Sequence, residues 1–171
     1  MSDYFALLGM SPAFELDLAL LADNYRQAAR EVHPDRFASA DARSQRQAVE
    51  QAAELNQAYS TLKSTTARAL YLLNLQAALA EEATVQDPEF LFQQMEWREE
   101  LEDLEQGQDI AAIDAFRQRL TQARNQINTA FAAIWNDQAQ RTQAERLVRR
   151  MQFLDKVLFE LDQLEERLDD F

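Results

Sequence analysis

The sequence predicts an all-α fold in two units: an antiparallel helical hairpin with short flanking helices, followed by an antiparallel three-helix bundle. Three observations predict it. Only 2 Gly and 3 Pro occur in 171 residues, too few breakers for a strand-and-turn architecture. Good helix formers (Ala, Leu, Gln, Glu, Arg) fill the long stretches. Apolar side chains recur there in steps of three and four, the spacing of one helix face.

The elements follow in order. Tyr4 to Gly9 (YFALLG) reads as a short helix or turn before Ser11-Pro12. Asp17 is placed to cap a helix whose apolar stripe is Leu18, Leu21, Tyr25, Ala28 and Val32. That helix must stop at Val32 or His33, because Pro34 restricts its predecessor and lacks an amide hydrogen. A loop, HPDRFASA, leads to a second long helix from near Ala42 to Lys63, with Val49, Ala52, Asn56, Tyr59 and Leu62 along one side. Thr65 or Thr66 would cap a short helix carrying Ala69, Leu70, Leu72 and Leu73.

Residues 1–75 are expected to form this first unit, and residues 76–87 (QAALAEEATVQD) a linker. Asp87-Pro88 then opens the bundle, residues 88–171, since proline fits the first helical turn. Its first helix is expected to run from about Pro88 to Gln106 and stop at Gly107. The second runs from about Asp109 to Trp135 on Ile113, Phe116, Leu120, Ala123, Ile127, Ala130 and Ile134. The third runs from about Asp137 to Leu168 on Leu147, Met151, Leu154, Leu158, Leu161 and Leu168. Short turns between long amphipathic helices favour a compact bundle over an extended coiled coil.

Composition narrows the chemistry. No cysteine and one histidine leave no basis for a disulfide, a thiolate metal site or a self-contained metal or haem centre, so no cofactor is expected. Apolar residues make up 47% and charged residues 27%, a globular balance. No apolar run approaches the roughly 20 residues needed to span a bilayer. The start, MSDYFALLGM, lacks the pattern of a signal peptide, so a cytoplasmic location is expected. The net charge of -13 would repel phosphate, so no nucleic-acid partner is expected. Residues 1–75 carry 9 acidic and 7 basic side chains, against 21 and 10 in residues 76–171. Two units of such different charge suit different partners.

Two surfaces stand out. His33-Pro34-Asp35 sits between antiparallel helices, approached by Arg26 and Arg30, four apart on the polar side, and followed by Arg36. No nucleophile stands beside the tripeptide, which argues against an acid–base pair. A plain turn with Asp35 capping local amides, or a docking epitope for an acidic partner face, both fit the local physics. On the first bundle helix, Gln94, Trp97, Leu101 and Leu104 fall within about 40° of Phe90 on the helical wheel. Leu91, Met95, Glu99, Phe92, Asp103 and Glu96 fall at about 100° to 240° from Phe90. That mixture of apolar groups and carboxylates describes a protein-binding surface, or a flank covered by other helices. Phe153 also lies off its own seam, where it would close the bundle or extend the patch. Glu96 and Glu99 do not suggest a di-metal site, because the other core stripes are apolar.

The chain resembles the J-domain co-chaperones, and more closely the HscB family of iron–sulfur cluster assembly. The matching stretches are DYFALLG at Asp3, HPDRFA at His33, LNQAYSTLK at Leu55, RALYLL at Arg68, WREELEDLEQ at Trp97 and FLDK at Phe153. The resemblance implies a J-domain that docks on a heat-shock ATPase similar to HscA and stimulates ATP hydrolysis by that partner. On this chain the docking residues would be Arg26, Arg30, His33, Pro34, Asp35 and Arg36. It also implies a bundle that binds an iron–sulfur scaffold protein similar to IscU. Those residues would be Leu91, Phe92, Met95, Glu96, Glu99, Asp103 and Phe153. The chain departs from the family pattern at Arg36, often lysine, and at Thr65-Thr66, often including proline. Phe92, Met95 and Asp103 stand where methionine, leucine and glutamate are common. The alternative is a helical adaptor without ATPase stimulation.

Overall fold

The computed structural model describes residues 3–81 and 86–170, and every regular element among them is helical. The chain divides into two compact units, Met1–Gln76 and Ala77–Phe171. No helix among the described residues is long and apolar enough to cross a membrane.

The first unit holds α1 (Tyr4–Leu7), α2 (Leu18–Glu31), a 3₁₀ turn (Pro34–Phe37), α3 (Ala42–Lys63) and α4 (Thr65–Gln76). Asp3 caps α1, and the Tyr71 hydroxyl accepts the Tyr4 amide at 2.8 Å with the two rings stacked. Gly9 follows at φ +64°, where a side chain would be strained, and the amide of Asn24 donates to the Leu8 carbonyl beside it. Asp17 caps α2 as expected, accepting the Leu20 amide. The bounds expected for α3 also match.

The buried faces match those expected only in part. On α2, Leu21 is buried but Leu18 is exposed. On α3, Ala48, Leu55, Ala58 and Leu62 form the core, whereas Val49 and Asn56 face outward. Tyr59 and Tyr25 stack at the edge, and the Tyr25 hydroxyl bonds the Asn56 side chain. Ser64, rather than Thr65 or Thr66, caps α4 by accepting the Ala67 amide, and Thr66 is buried. Arg68 is buried too. Its guanidinium donates to the carbonyls of Phe14 and Leu62 at 2.6 Å, and burial lowers its pKa. That charge is solvated by backbone dipoles and pins the loop before α2 to the end of α3.

The second unit holds α5 (Pro88–Gly107), α6 (Ile110–Ile134), a 3₁₀ turn (Gln138–Gln140) and α7 (Arg141–Asp169). Its core takes Phe90, Trp97, Leu101 and Leu104 from α5, as expected. From α6, Phe131 is buried where Ala130 was expected. From α7, Val157 and Leu164 are buried rather than Leu158 and Leu168. The helix α5 includes Gly107, and Gln108 takes the left-handed conformation that ends it (φ 55°). The third helix starts four residues later than expected, after the 3₁₀ turn. Ion pairs brace the bundle: Arg98 to Glu160, Arg117 to Asp162 and Glu165, and Arg119 to Glu100.

Part of the stretch read as a linker, residues 82–85, lies outside the described residues. The remainder is strapped to α7. Arg141 donates to the Ala77 carbonyl, Arg149 to Ala80 and Arg146 to Gln86. Asp87 then caps α5 by accepting the Phe90 amide and forms a two-point pair with Arg150 at 2.7 and 2.8 Å.

The Arg150 guanidinium holds the Asp87 carboxyl below its ordinary pKa. A depressed folded-state value contributes stability that is fully present above the unfolded pKa and lost as pH falls through the folded one. Asp87→Asn keeps a capping oxygen but loses the charged pair, and should therefore cost roughly 1 to 2 kcal/mol at neutral pH. The difference from the wild type should shrink below about pH 4. Denaturant unfolding at pH 7 and pH 3 checks both, and a cost unchanged between them contradicts the pairing.

Candidate functional site

The first candidate surface is the turn between α2 and α3. His33 is extended (φ -60°, ψ 131°), as a residue before proline should be. Pro34 then starts the 3₁₀ turn with its fixed φ and no amide hydrogen to satisfy. The capping group is His33, not Asp35: the ring Nδ1 accepts the Asp35 amide at 3.2 Å. With Nδ1 accepting, Nε2 is the ring nitrogen left to act as a donor. The Asp35 carboxylate lies 3.6 Å from Nδ1, its side chain 92% exposed. Gln45, on α3, closes the loop by donating to the Ala38 and Ala40 carbonyls.

The arginines are less uniform than the spacing suggested. Arg26 is paired with Asp23 one turn earlier in α2, both exposed. Arg30 and Arg36 are exposed and make no ion pair among the described residues. Pro34 is half-buried. The result is a rigid, water-facing turn with one imidazole donor, one unspent carboxylate and cations on both sides.

The second surface lies on the bundle. Phe90 packs edge-on to both Trp97 (5.8 Å) and Phe153 (5.7 Å), and Trp97 and Phe153 stack at 6.2 Å. Arg150 covers the Phe90 ring and Arg98 the Phe153 ring. With that face buried, α5 turns Leu91, Phe92 and Met95 to solvent, 55%, 72% and 61% exposed. Glu96, Glu99 and Asp103 are exposed among them.

Phe153 fulfils both roles open to it. It closes the aromatic cluster and lines a shallow recess of about 410 Å³ with Leu91, Met95 and Glu99. The structure therefore brings four of the seven expected residues together. Phe92, Glu96 and Asp103 share the helix but do not line that recess. Gln94, Arg98 and Glu102 do, and none had been expected at the site. Gln94 and Arg98 sit at the border between the buried and exposed faces, a position that single-helix periodicity does not resolve. No cluster of three or more His, Asp or Glu among the described residues is placed to hold a metal ion.

Known proteins match this chain over both units. Residues 3–71 match the DnaJ domain model, and residues 86–162 match the model described as the HSCB C-terminal oligomerisation domain. The structure of chaperone HscB from Vibrio cholerae is 37% identical, with a TM-score of 0.87, and the match covers 98% of this chain and 99% of that one. The chain belongs to the HscB family. It is thus a J-domain co-chaperone of the iron–sulfur cluster assembly type. Human co-chaperone HscB matches at 25% identity and a TM-score of 0.87, covering 95% of this chain and 82% of that one. The Jac1 co-chaperone of Saccharomyces cerevisiae, at 22% identity and a TM-score of 0.73 over 95% and 94% of the two chains, shares the fold.

In this HscB-family chain the two phenylalanines at the start of α5 should behave oppositely. Phe90→Ala empties a packed site and should cost roughly 3 to 5 kcal/mol. Phe92→Ala removes a ring that is mostly in water and should stay within about 0.5 kcal/mol of the wild type. Chemical denaturation of both variants distinguishes them, and a large loss for Phe92→Ala would mean that its ring is covered.

Proposed function

We propose that this chain is a two-ended adaptor. It delivers an IscU-like iron–sulfur scaffold protein to a specialised HscA-like heat-shock ATPase in the cytoplasm and stimulates ATP hydrolysis by that partner. One observation carries the reading: both motif surfaces are uncovered, one on a turn that caps itself and the other on a helix whose opposite face is core. His33, Pro34 and Asp35 form a turn fixed by its own hydrogen bonds. Leu91, Phe92 and Met95 remain in water on a helix whose opposite face is core.

At the J-domain end, Arg26, Arg30 and Arg36 draw in an acidic face of the ATPase. The His33 donor and the Asp35 carboxylate engage it at short range. The chain itself hydrolyses nothing. Its effect is a population shift of the ATPase toward a hydrolysis-competent state, which requires tighter binding to that state than to the resting one. At the bundle end, Leu91, Phe92, Met95 and Phe153 provide apolar anchors for the scaffold protein. Glu96, Glu99 and Asp103 form a charged rim that favours basic partner groups. Holding both proteins raises the effective concentration of scaffold at the ATPase and thereby promotes cluster transfer.

His33→Gln should abolish stimulation of steady-state ATP hydrolysis by the cognate chaperone while leaving the helical circular dichroism intact. Near-normal stimulation by this variant contradicts the reading. Combined Leu91→Ala, Phe92→Ala and Phe153→Ala should weaken scaffold binding roughly 30-fold or more, the scale of a truncated hot spot. Titration calorimetry reads this out, and an unchanged affinity rejects the docking patch.

A further inference from the structure

A larger recess of about 810 Å³ adjoins the patch, between the start of α5 and the middle of α7. Pro88, Phe90, Leu91 and Phe153 supply its apolar lining, and Leu91 and Phe153 also belong to the smaller recess. The two cavities therefore form a continuous surface. Its charge is the reverse of what the bundle would suggest. Residues 76–171 carry 21 acidic and 10 basic side chains, yet Arg98, Arg149 and Lys156 line this recess. Its one acidic residue, Asp87, is committed to Arg150.

The three cations are not equally available. Arg98 is paired with Glu160, and Arg149 is spent on the Ala80 carbonyl and the Gln152 side chain. Lys156 is exposed and has no ion-pair or hydrogen-bond partner among the described residues. Its neighbour Asp155 pairs with Arg124 on α6 instead. A flexible ammonium beside an apolar lining, with no carboxylate of its own, is suited to a carboxylate brought by a partner next to an apolar side chain.

We propose that this recess binds an acidic, apolar-anchored segment of the scaffold protein, with Lys156 as the charge that receives its carboxylate. The proposal rests on the reading that the bundle docks that scaffold, and it makes the complementary surface two-signed. Basic groups of the partner meet Glu96, Glu99 and Asp103, while an acidic group enters beside Phe153 and Lys156.

The sign of one charge reversal tests it. If the partner met only the acidic face, Lys156→Glu would add to the attraction and tighten binding. The proposal requires the opposite: Lys156→Glu weakens binding of the purified cognate scaffold protein about tenfold at low salt. Lys156→Arg should retain affinity, and the deficit of Lys156→Glu should shrink at high salt as the interaction is screened. Equal or tighter binding by Lys156→Glu, alongside a loss for the Leu91, Phe92 and Phe153 alanine variant, overturns the proposal and leaves the docking patch standing. Unchanged binding by both variants overturns both. Sedimentation of the chain alone supplies a further check. Self-association that Lys156→Glu abolishes, with scaffold affinity unchanged, assigns the recess to a second copy and overturns the proposal.

Discussion

The burial of Phe90 governs what the second unit can present. The ring is held edge-on by Trp97 and Phe153 and covered by the Arg150 guanidinium, which also grips the cap residue Asp87. These contacts set both the rotation and the starting point of α5. A helix offers only one stripe to its own core, and with Phe90, Trp97, Leu101 and Leu104 inward, residues at 100° to 240° must face water. The exposure of Leu91, Phe92 and Met95 is thus a consequence of how the opposite face packs. Phe153 links the two sides, since it packs in the cluster and also lines the recess.

The first unit uses different means to the same end. Arg68 is buried without a carboxylate and spends its charge on two carbonyls, fixing the loop before α2 to the end of α3. With the hairpin ends held, the intervening turn is determined by local chemistry. Pro34 sets the backbone, His33 caps its own loop and Gln45 closes it from α3. The backbone of the turn is thereby set before a partner engages His33 and Asp35, which favours affinity. Both units therefore place exposed functional groups on elements that their cores hold still.

Element boundaries were more legible in the sequence than faces. The extent of α3 and the cap Asp17 could be read directly, because capping chemistry is local and residue-specific. The α3 stripe was misplaced by one position except at Leu62, because Val49 and Tyr59 are large and apolar while the neighbouring small Ala48 and Ala58 are the residues buried. On α7 the same ambiguity accumulates over 29 residues, since a seven-residue reading drifts about 20° per heptad from a straight helix, and Val157 and Leu164 replace Leu158 and Leu168. The ladder of Arg141, Arg146 and Arg149 was invisible because its partners are backbone carbonyls, which leave no side-chain signature. The patch on α5 was half legible: a wheel built on Phe90 puts Leu91, Phe92 and Met95 off the core stripe, and only their exposure shows that no other helix covers them.

The two surfaces gain meaning only if one chain uses both at once. Steady-state ATP hydrolysis by the cognate heat-shock ATPase, measured with this chain, with the scaffold protein and with both together, tests that directly. The account predicts that the combined stimulation exceeds the product of the two separate effects, because the adaptor holds the scaffold where the ATPase acts. Stimulation by the chain that is unchanged when saturating scaffold is added would contradict it.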